Sequence, residues 1–309
     1  MVKRKVNKVG GNTFTISLPA KWVRLNEITP GDELDVDIDN NCVLIKRENY
    51  IKNKKEISVN LENLNSSSIK SIISVLYKSG YDKIEILFNS EEALETLVNT
   101  INNTLLGFEI VDQTERRCIV QNISAKDDSD FDQILRRSFL VSLTMAKNSY
   151  EYLKDGKFDK LNSLLSLELT NNRLTNFIHR CMNRNLNPDE KSHYLYVIIW
   201  NLENVADDYR DICMNYSKYT KKLSKETLKM YKEIVDLLDS YYKLYYNYSF
   251  SDFEKVKTNG KSLLVKMNKT MNQLHCEEIP ILFYMNSIVR RINDFWGSTT
   301  GLNLDKIKD

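Results

Sequence analysis

No stretch of this chain is apolar for long enough to cross a bilayer. The longest strongly apolar run, Tyr194 to Trp200, falls far short of the roughly 20 residues that a spanning helix needs. The N-terminus has no apolar signal core. Cysteine is sparse: Cys42, Cys118, Cys181, Cys213 and Cys276 lie far apart, without the paired spacing of a zinc motif or a disulfide framework. They read as reduced thiols in a cytosolic protein. A glycine-rich phosphate loop is missing too, since Gly80 and Gly107 stand isolated. His179, His193 and His275 are remote from one another, and no Ser, Cys or Lys sits in a nucleophile motif. The chain is therefore not expected to be an enzyme. With a net charge of only +2, affinity for a polyanion must come from a local patch. What remains is a soluble, cytoplasmic chain of 309 residues, 42% hydrophobic, long enough for two or three domains with real cores.

The local patch is at the start. Lys3, Arg4, Lys5, Lys8, Lys21 and Arg24 all precede the first acid, Glu27. Phe14, Ile16 and Leu18 alternate with Thr13, Thr15 and Ser17, and Leu34, Val36 and Ile38 alternate with Glu33, Asp35, Asp37 and Asp39. This period of two predicts strands. Gly10-Gly11, Pro30-Gly31-Asp32 and Asn40-Asn41 mark the turns. A last strand follows at Cys42 to Lys46, and Pro19 opens a short helical turn carrying Trp22, Val23 and Leu25. Hairpins this short bury little apolar surface alone, so a partner is required, most simply a second copy. Two copies would set the six cations twice across a dyad, matching a symmetric duplex. A small structural barrel with merely solvated lysines is the alternative.

Arg4 to Val23, with Gly10-Gly11 and Ser17-Leu-Pro-Ala-Lys-Trp22, followed by Ile28-Thr-Pro-Gly-Asp-Glu-Leu-Asp-Val36, resembles the AbrB/SpoVT/MazE swapped-hairpin family. It is especially similar to the version fused to PhoU domains in archaeal phosphate-uptake regulators. The resemblance implies an intertwined homodimer that binds DNA through Arg4, Lys5, Lys8, Lys21 and Arg24. Lysine at most of these positions favours phosphate contacts over the bidentate base reading that suits arginine. Strong salt dependence and modest sequence discrimination are expected.

The middle segment reads βαβαββ: strands at Lys55–Val59 and Asp82–Phe88, helices at Ser66–Lys78 and Glu91–Asn103, and strands at Phe108–Asp112 and Arg117–Ile123. Gly80 ends the first helix and Ser90 caps the second. This order suggests a small α/β sandwich acting as a spacer or dimerisation module. Residues 125–130 form a polar linker in which Ser129 or Asp130 can cap the next helix.

From there the periodicity is helical throughout. Six long helices are expected, the second over 158–183, the third launched by Asn187-Pro188-Asp189-Glu190, the others near 225–247, 251–275 and 279–297. On the third, Glu203, Asp207 and Asp211 recur every four residues, about 40° apart around the helix, so they form one acidic stripe. Two readings stand side by side. Arg210 can neutralise a solvated face, or the carboxylates can hold a hard cation. A shift of 87 residues lays Val289, Ile292, Asp294 and Trp296 on Leu202, Val205, Asp207 and Tyr209, which suggests a duplicated set of three helices.

Leu202-Glu-Asn-Val-Ala-Asp-Asp-Tyr-Arg-Asp211 resembles the Glu-x-x-x-Asp motif of PhoU, a tandem pair of three-helix bundles. That resemblance implies Glu203, Asp207 and Asp211 as ligands of a divalent or iron-type metal ion. In the second copy only Asp294 is kept, and Arg290 stands where the family has glutamate. The fold class expected is multidomain α+β: a dimeric swapped-hairpin β-barrel over 1–50, an α/β sandwich over 55–124, and tandem three-helix bundles over 127–309. The function that the resemblances imply is DNA-binding regulation of phosphate uptake. The alternative is an adaptor that touches a phosphate transporter or signalling protein without binding DNA or entering the membrane.

Overall fold

The computed structural model describes residues 3–39, 42–47, 54–123, 131–184, 191–271 and 276–306. It divides into two compact units, Met1–Lys54 and Lys55–Asp309. The fold is mixed α+β, and no helix among the described residues is long and apolar enough to cross a membrane.

The first unit is two antiparallel hairpins and one short helix. Strands β1 (Val6–Val9) and β2 (Thr13–Ile16) pair with Val6 opposite Ile16, and the chain turns at Gly10. Pro19 precedes α1 (Ala20–Leu25) and its carbonyl accepts from the Val23 amide at 3.0 Å. The next turn is held by Asp32, which accepts from both the amide and the hydroxyl of Thr29. Strands β3 (Leu34–Asp39) and β4 (Cys42–Arg47) form the second hairpin. The predicted strands and helical turn are all present; the Asn40-Asn41 turn lies outside the described residues. No residue of this unit whose side-chain burial is described is buried. Phe14 is 67% exposed and Ile38 81%, so the apolar faces that the alternation predicts are bare in a single copy.

The second unit begins with β5 (Glu56–Asn60), α2 (Ser66–Lys78), β6 (Lys83–Leu87), α3 (Glu91–Thr104), β7 (Phe108–Gln113) and β8 (Arg117–Asn122), the predicted order. The sheet runs β5-β6-β8-β7, with β5 parallel to β6 and the other pairs antiparallel. Asn65 and Ser90 accept from the Ser68 and Ala93 amides and so cap the two helices. Ile69, Ile73, Leu97 and Ile101 from those helices close over Ile84, Ile86 and Val120 of the sheet. Gly80 ends α2 at φ +85°, and a side chain there would meet Arg184 at 2.8 Å, so this position needs glycine twice over.

Six long helices follow: α4 (Phe131–Asp155), α5 (Leu165–Arg184), α6 (Ser192–Tyr216), α7 (Lys225–Tyr246), α8 (Phe250–Thr270) and α9 (Ile279–Leu302). The second differs from expectation. Residues Phe158–Leu164 form a 3₁₀ turn before α5 begins. Asp159, Asn162 and Ser163 explain this, because short polar side chains compete for nearby backbone groups; Ser163 donates to the Lys160 carbonyl at 2.7 Å. The expected linker over 125–130, the expected helix start over 187–190 and His275 lie outside the described residues. Helices α4, α5 and α6 pack on one another, as do α7, α8 and α9, and the sets meet through α6 against α9 and α4 against α7. A single apolar core runs through all six. Leu202, Val205 and Tyr209 of α6 are buried, as are Val289, Ile292 and Trp296, their counterparts on α9.

Candidate nucleic-acid interface and acidic helix seam

The cations of the first unit occupy connected elements. Arg4 and Lys5 lead into β1, Lys8 stands on β1, and Lys21 and Arg24 stand on α1; all are exposed. Lys8 lies opposite Phe14 in the hairpin, its ammonium 6.0 Å from the ring centroid. None of the five forms an ion pair with a described residue. Exposed, unpaired ammonium and guanidinium groups are what a phosphate backbone recruits, and they release its counterions on contact.

The acidic residues behave differently. Glu203, Asp207 and Asp211 lie on α6 along the side that faces α5, and α5 contributes Glu168, only 4% exposed. Arg210 joins them. Its Nη1 donates to Asp207 at 2.6 Å and to Glu168 at 3.1 Å, and its Nη2 lies 2.9 Å from Asp211. Asn172 donates to Glu168 at 2.6 Å. Burial, with Glu168 and Glu203 adding to it, pushes the Asp207 carboxyl up to about 7 against the pull of Arg210. Burial likewise raises Glu203, opposed by the charge of Lys78. Burial works against the Arg210 guanidinium, but Asp207, Asp211 and Glu168 outweigh it and hold it charged. Asp294 does not join this group; it is exposed on α9, where Arg290 bonds its own neighbour Asn286 at 2.7 Å. Among the described residues, no three or more His, Cys, Asp or Glu side chains are arranged to hold a metal ion.

Glu168 escapes a reading of sequence alone because its partner is on another helix. No signal within α5 singles it out, because the buried face that carries Glu168 also carries the polar Asn171 and Thr175. A second cluster also went unforeseen. Arg180 of α5, nearly fully buried, donates to the carbonyls of Tyr77 and Tyr81 and to Asp82 at 2.7 Å. Arg184 pairs with the same carboxylate, and Asn176 and Asn183 reach the Thr104 and Lys78 carbonyls. The guanidinium of Arg180 also stacks over Tyr77 and Phe108, about 5 Å from each ring. These contacts fasten the α/β layer to α5, so the middle segment is docked on the helices rather than hanging from a linker.

His179, on α5, is fully buried with neither ring nitrogen hydrogen-bonded, its ring 4.5 Å from that of Tyr196. Burial, helped by the charge of Lys78 and only partly offset by the backbone of Tyr196, lowers its pKa to about 4.

No curated protein and no solved structure matches the chain. Residues 8–52 match the family described as antidote-toxin recognition MazE, bacterial antitoxin, so over this stretch, which carries Lys8, Lys21 and Arg24, the chain is similar to a MazE/AbrB-like domain.

Proposed function

We propose that this chain is a DNA-binding transcriptional regulator that works as a homodimer. One observation supports this above all: the first unit combines cations that form no ion pair with a described residue and apolar strand faces that the described residues of a single copy leave exposed. A second copy would bury those faces and duplicate the cations across a dyad. The similarity over residues 8–52 agrees with this, since MazE/AbrB-like domains commonly bind DNA and dimerise. The role in the matched family's description, toxin recognition, concerns that family's own members. Here more than 250 further residues follow, built on two apolar cores.

The helical part is read as the sensing half, a PhoU-like pair of three-helix bundles tuned to phosphate supply. The packing of α4–α6 and α7–α9 as two sets, with α6 against α9, supports that reading. Footprinting of the full chain on promoter fragments tests the function, with Lys8→Gln, Lys21→Gln and Arg24→Gln combined as the control. Protection by the wild type that the triple variant loses is the expected result. A dimer that protects no promoter would overturn it and leave the adaptor reading, in which the helices contact a transporter or signalling protein.

A further inference from the structure

The carboxylates between α5 and α6 already hold a cation, and it belongs to the chain. We propose that Arg210 is the resident cation of this seam, standing where a metal ion would stand, and that it keeps the acidic face of α6 closed to divalent ions. Contacts from Arg210 to Glu168, Asp207 and Asp211 lie between 2.6 and 3.1 Å, spread along the guanidinium from Nε through both terminal nitrogens. The three carboxylates are thus splayed around a planar fork rather than drawn to a point, which is why no metal-holding group is present among the described residues.

Glu168 makes the occupant necessary. A carboxylate so deeply buried is costly unless a positive charge meets it inside the protein. Arg210 does so from a half-exposed position that also reaches the two outer acids.

Spare acceptors beside the guanidinium show what would follow its removal. Asn171 is fully buried; its Nδ2 reaches the Leu202 carbonyl at 3.5 Å, but its Oδ1 has no partner among the described residues. Asn172 Oδ1 and Glu203 Oε2 are buried without partners as well. The Asp207 and Asp211 side chains are 37% and 34% exposed, so neither is locked by packing once the guanidinium they hold is removed. Without Arg210 the seam becomes an uncompensated set of hard oxygen donors, the chemistry that Mn²⁺ accepts. The inference rests on α5 and α6 alone and is independent of whether the first unit binds DNA.

Mn²⁺ titration of the full chain, followed by electron paramagnetic resonance and by melting in Mn²⁺ and in EDTA, tests this on the wild type, Asp207→Asn, Arg210→Met and Arg210→Met/Asp207→Asn. The wild type should bind no stoichiometric Mn²⁺ and melt alike in both buffers. Arg210→Met should bind Mn²⁺ at least about tenfold more tightly and melt higher with it, and the added Asp207→Asn should abolish the gain. Stoichiometric Mn²⁺ on the wild type that Asp207→Asn removes would overturn the proposal. So would an Arg210→Met protein no more responsive than the wild type. If Arg210→Met is unfolded in EDTA, recovery of its helical circular dichroism in Mn²⁺ supports the proposal, and no recovery overturns it.

Discussion

Replacing His179 with phenylalanine should remove a defined part of the protein's acid sensitivity. Both ring nitrogens are buried without hydrogen-bond partners, and the folded chain holds the imidazole neutral down to about pH 4. The unfolded chain protonates the same ring near the ordinary value of about 6.5. Its folded pKa is therefore depressed, and the sign follows: nothing is lost above about pH 6.5, and stability falls as pH drops toward 4 because only the unfolded state takes the proton. The penalty reaches about 2 kcal/mol near pH 5 and approaches roughly 3 kcal/mol below pH 4. Asp207 works in the opposite sense. Its carboxyl, raised to about 7, makes stability fall as pH rises from the ordinary carboxylate range toward neutrality. The wild-type curve sums both effects, and only the difference between two variants isolates the histidine. Urea unfolding of wild type and His179→Phe, followed by helical circular dichroism near pH 7.5 and near pH 5, supplies that difference. The variant should lose about 2 kcal/mol less than the wild type between these conditions. Equal losses would show that His179 takes up its proton in the folded protein at its ordinary pKa.

Three other substitutions probe the packing. Asp82→Asn leaves the buried Arg180 guanidinium and its neighbour Arg184 without their counter-charge; it should cost about 3–5 kcal/mol in chemical unfolding, and a loss below about 1 kcal/mol would mean that the carbonyls of Tyr77 and Tyr81 suffice. Gly301→Ala brings a Cβ within 2.5 Å of the Tyr194 ring where α9 passes α6; melting should fall by the equivalent of about 1–3 kcal/mol, and an unchanged melting point would contradict that close approach. Leu202→Ala empties a fully buried position on α6 and should cost about 2–5 kcal/mol by urea titration; a negligible cost would place Leu202 outside the core.

Much of this architecture could be read from spacing. The 3.6-residue period places Leu135, Phe139, Leu143, Ala146, Tyr150 and Leu153 on one stripe of α4, and all are buried except Tyr150, which is half-buried. Cap chemistry at Ser90 marked where α3 begins, and its side chain does accept from the Ala93 amide; the cap at Asn65 emerged only from the structure. The 3₁₀ turn at Phe158–Leu164 was hidden because its Phe158, Leu161 and Leu164 also suit an α-helix. The charged clusters were hidden for another reason. Asp82 and Arg180 are 98 residues apart, and Glu168 and Arg210 are 42 apart, so only tertiary packing joins them. Arg210 was visible as a counter-charge within its own helix; its grip on a buried acid of α5 was not. The exposed apolar strands of the first unit were legible as an alternation, and the bareness of those faces follows from how little a pair of short hairpins can bury.

The account depends most on paired cations gripping a polyanion, and the salt dependence of DNA binding by the full chain tests it directly. If Arg4, Lys5, Lys8, Lys21 and Arg24 act in both copies, log affinity should fall steeply against log salt, with a slope on the order of −5 to −9. Changing Lys8 and Lys21 to glutamine should make that slope shallower by about 3 to 4. A slope near zero, or one that both substitutions leave unchanged, would contradict the account.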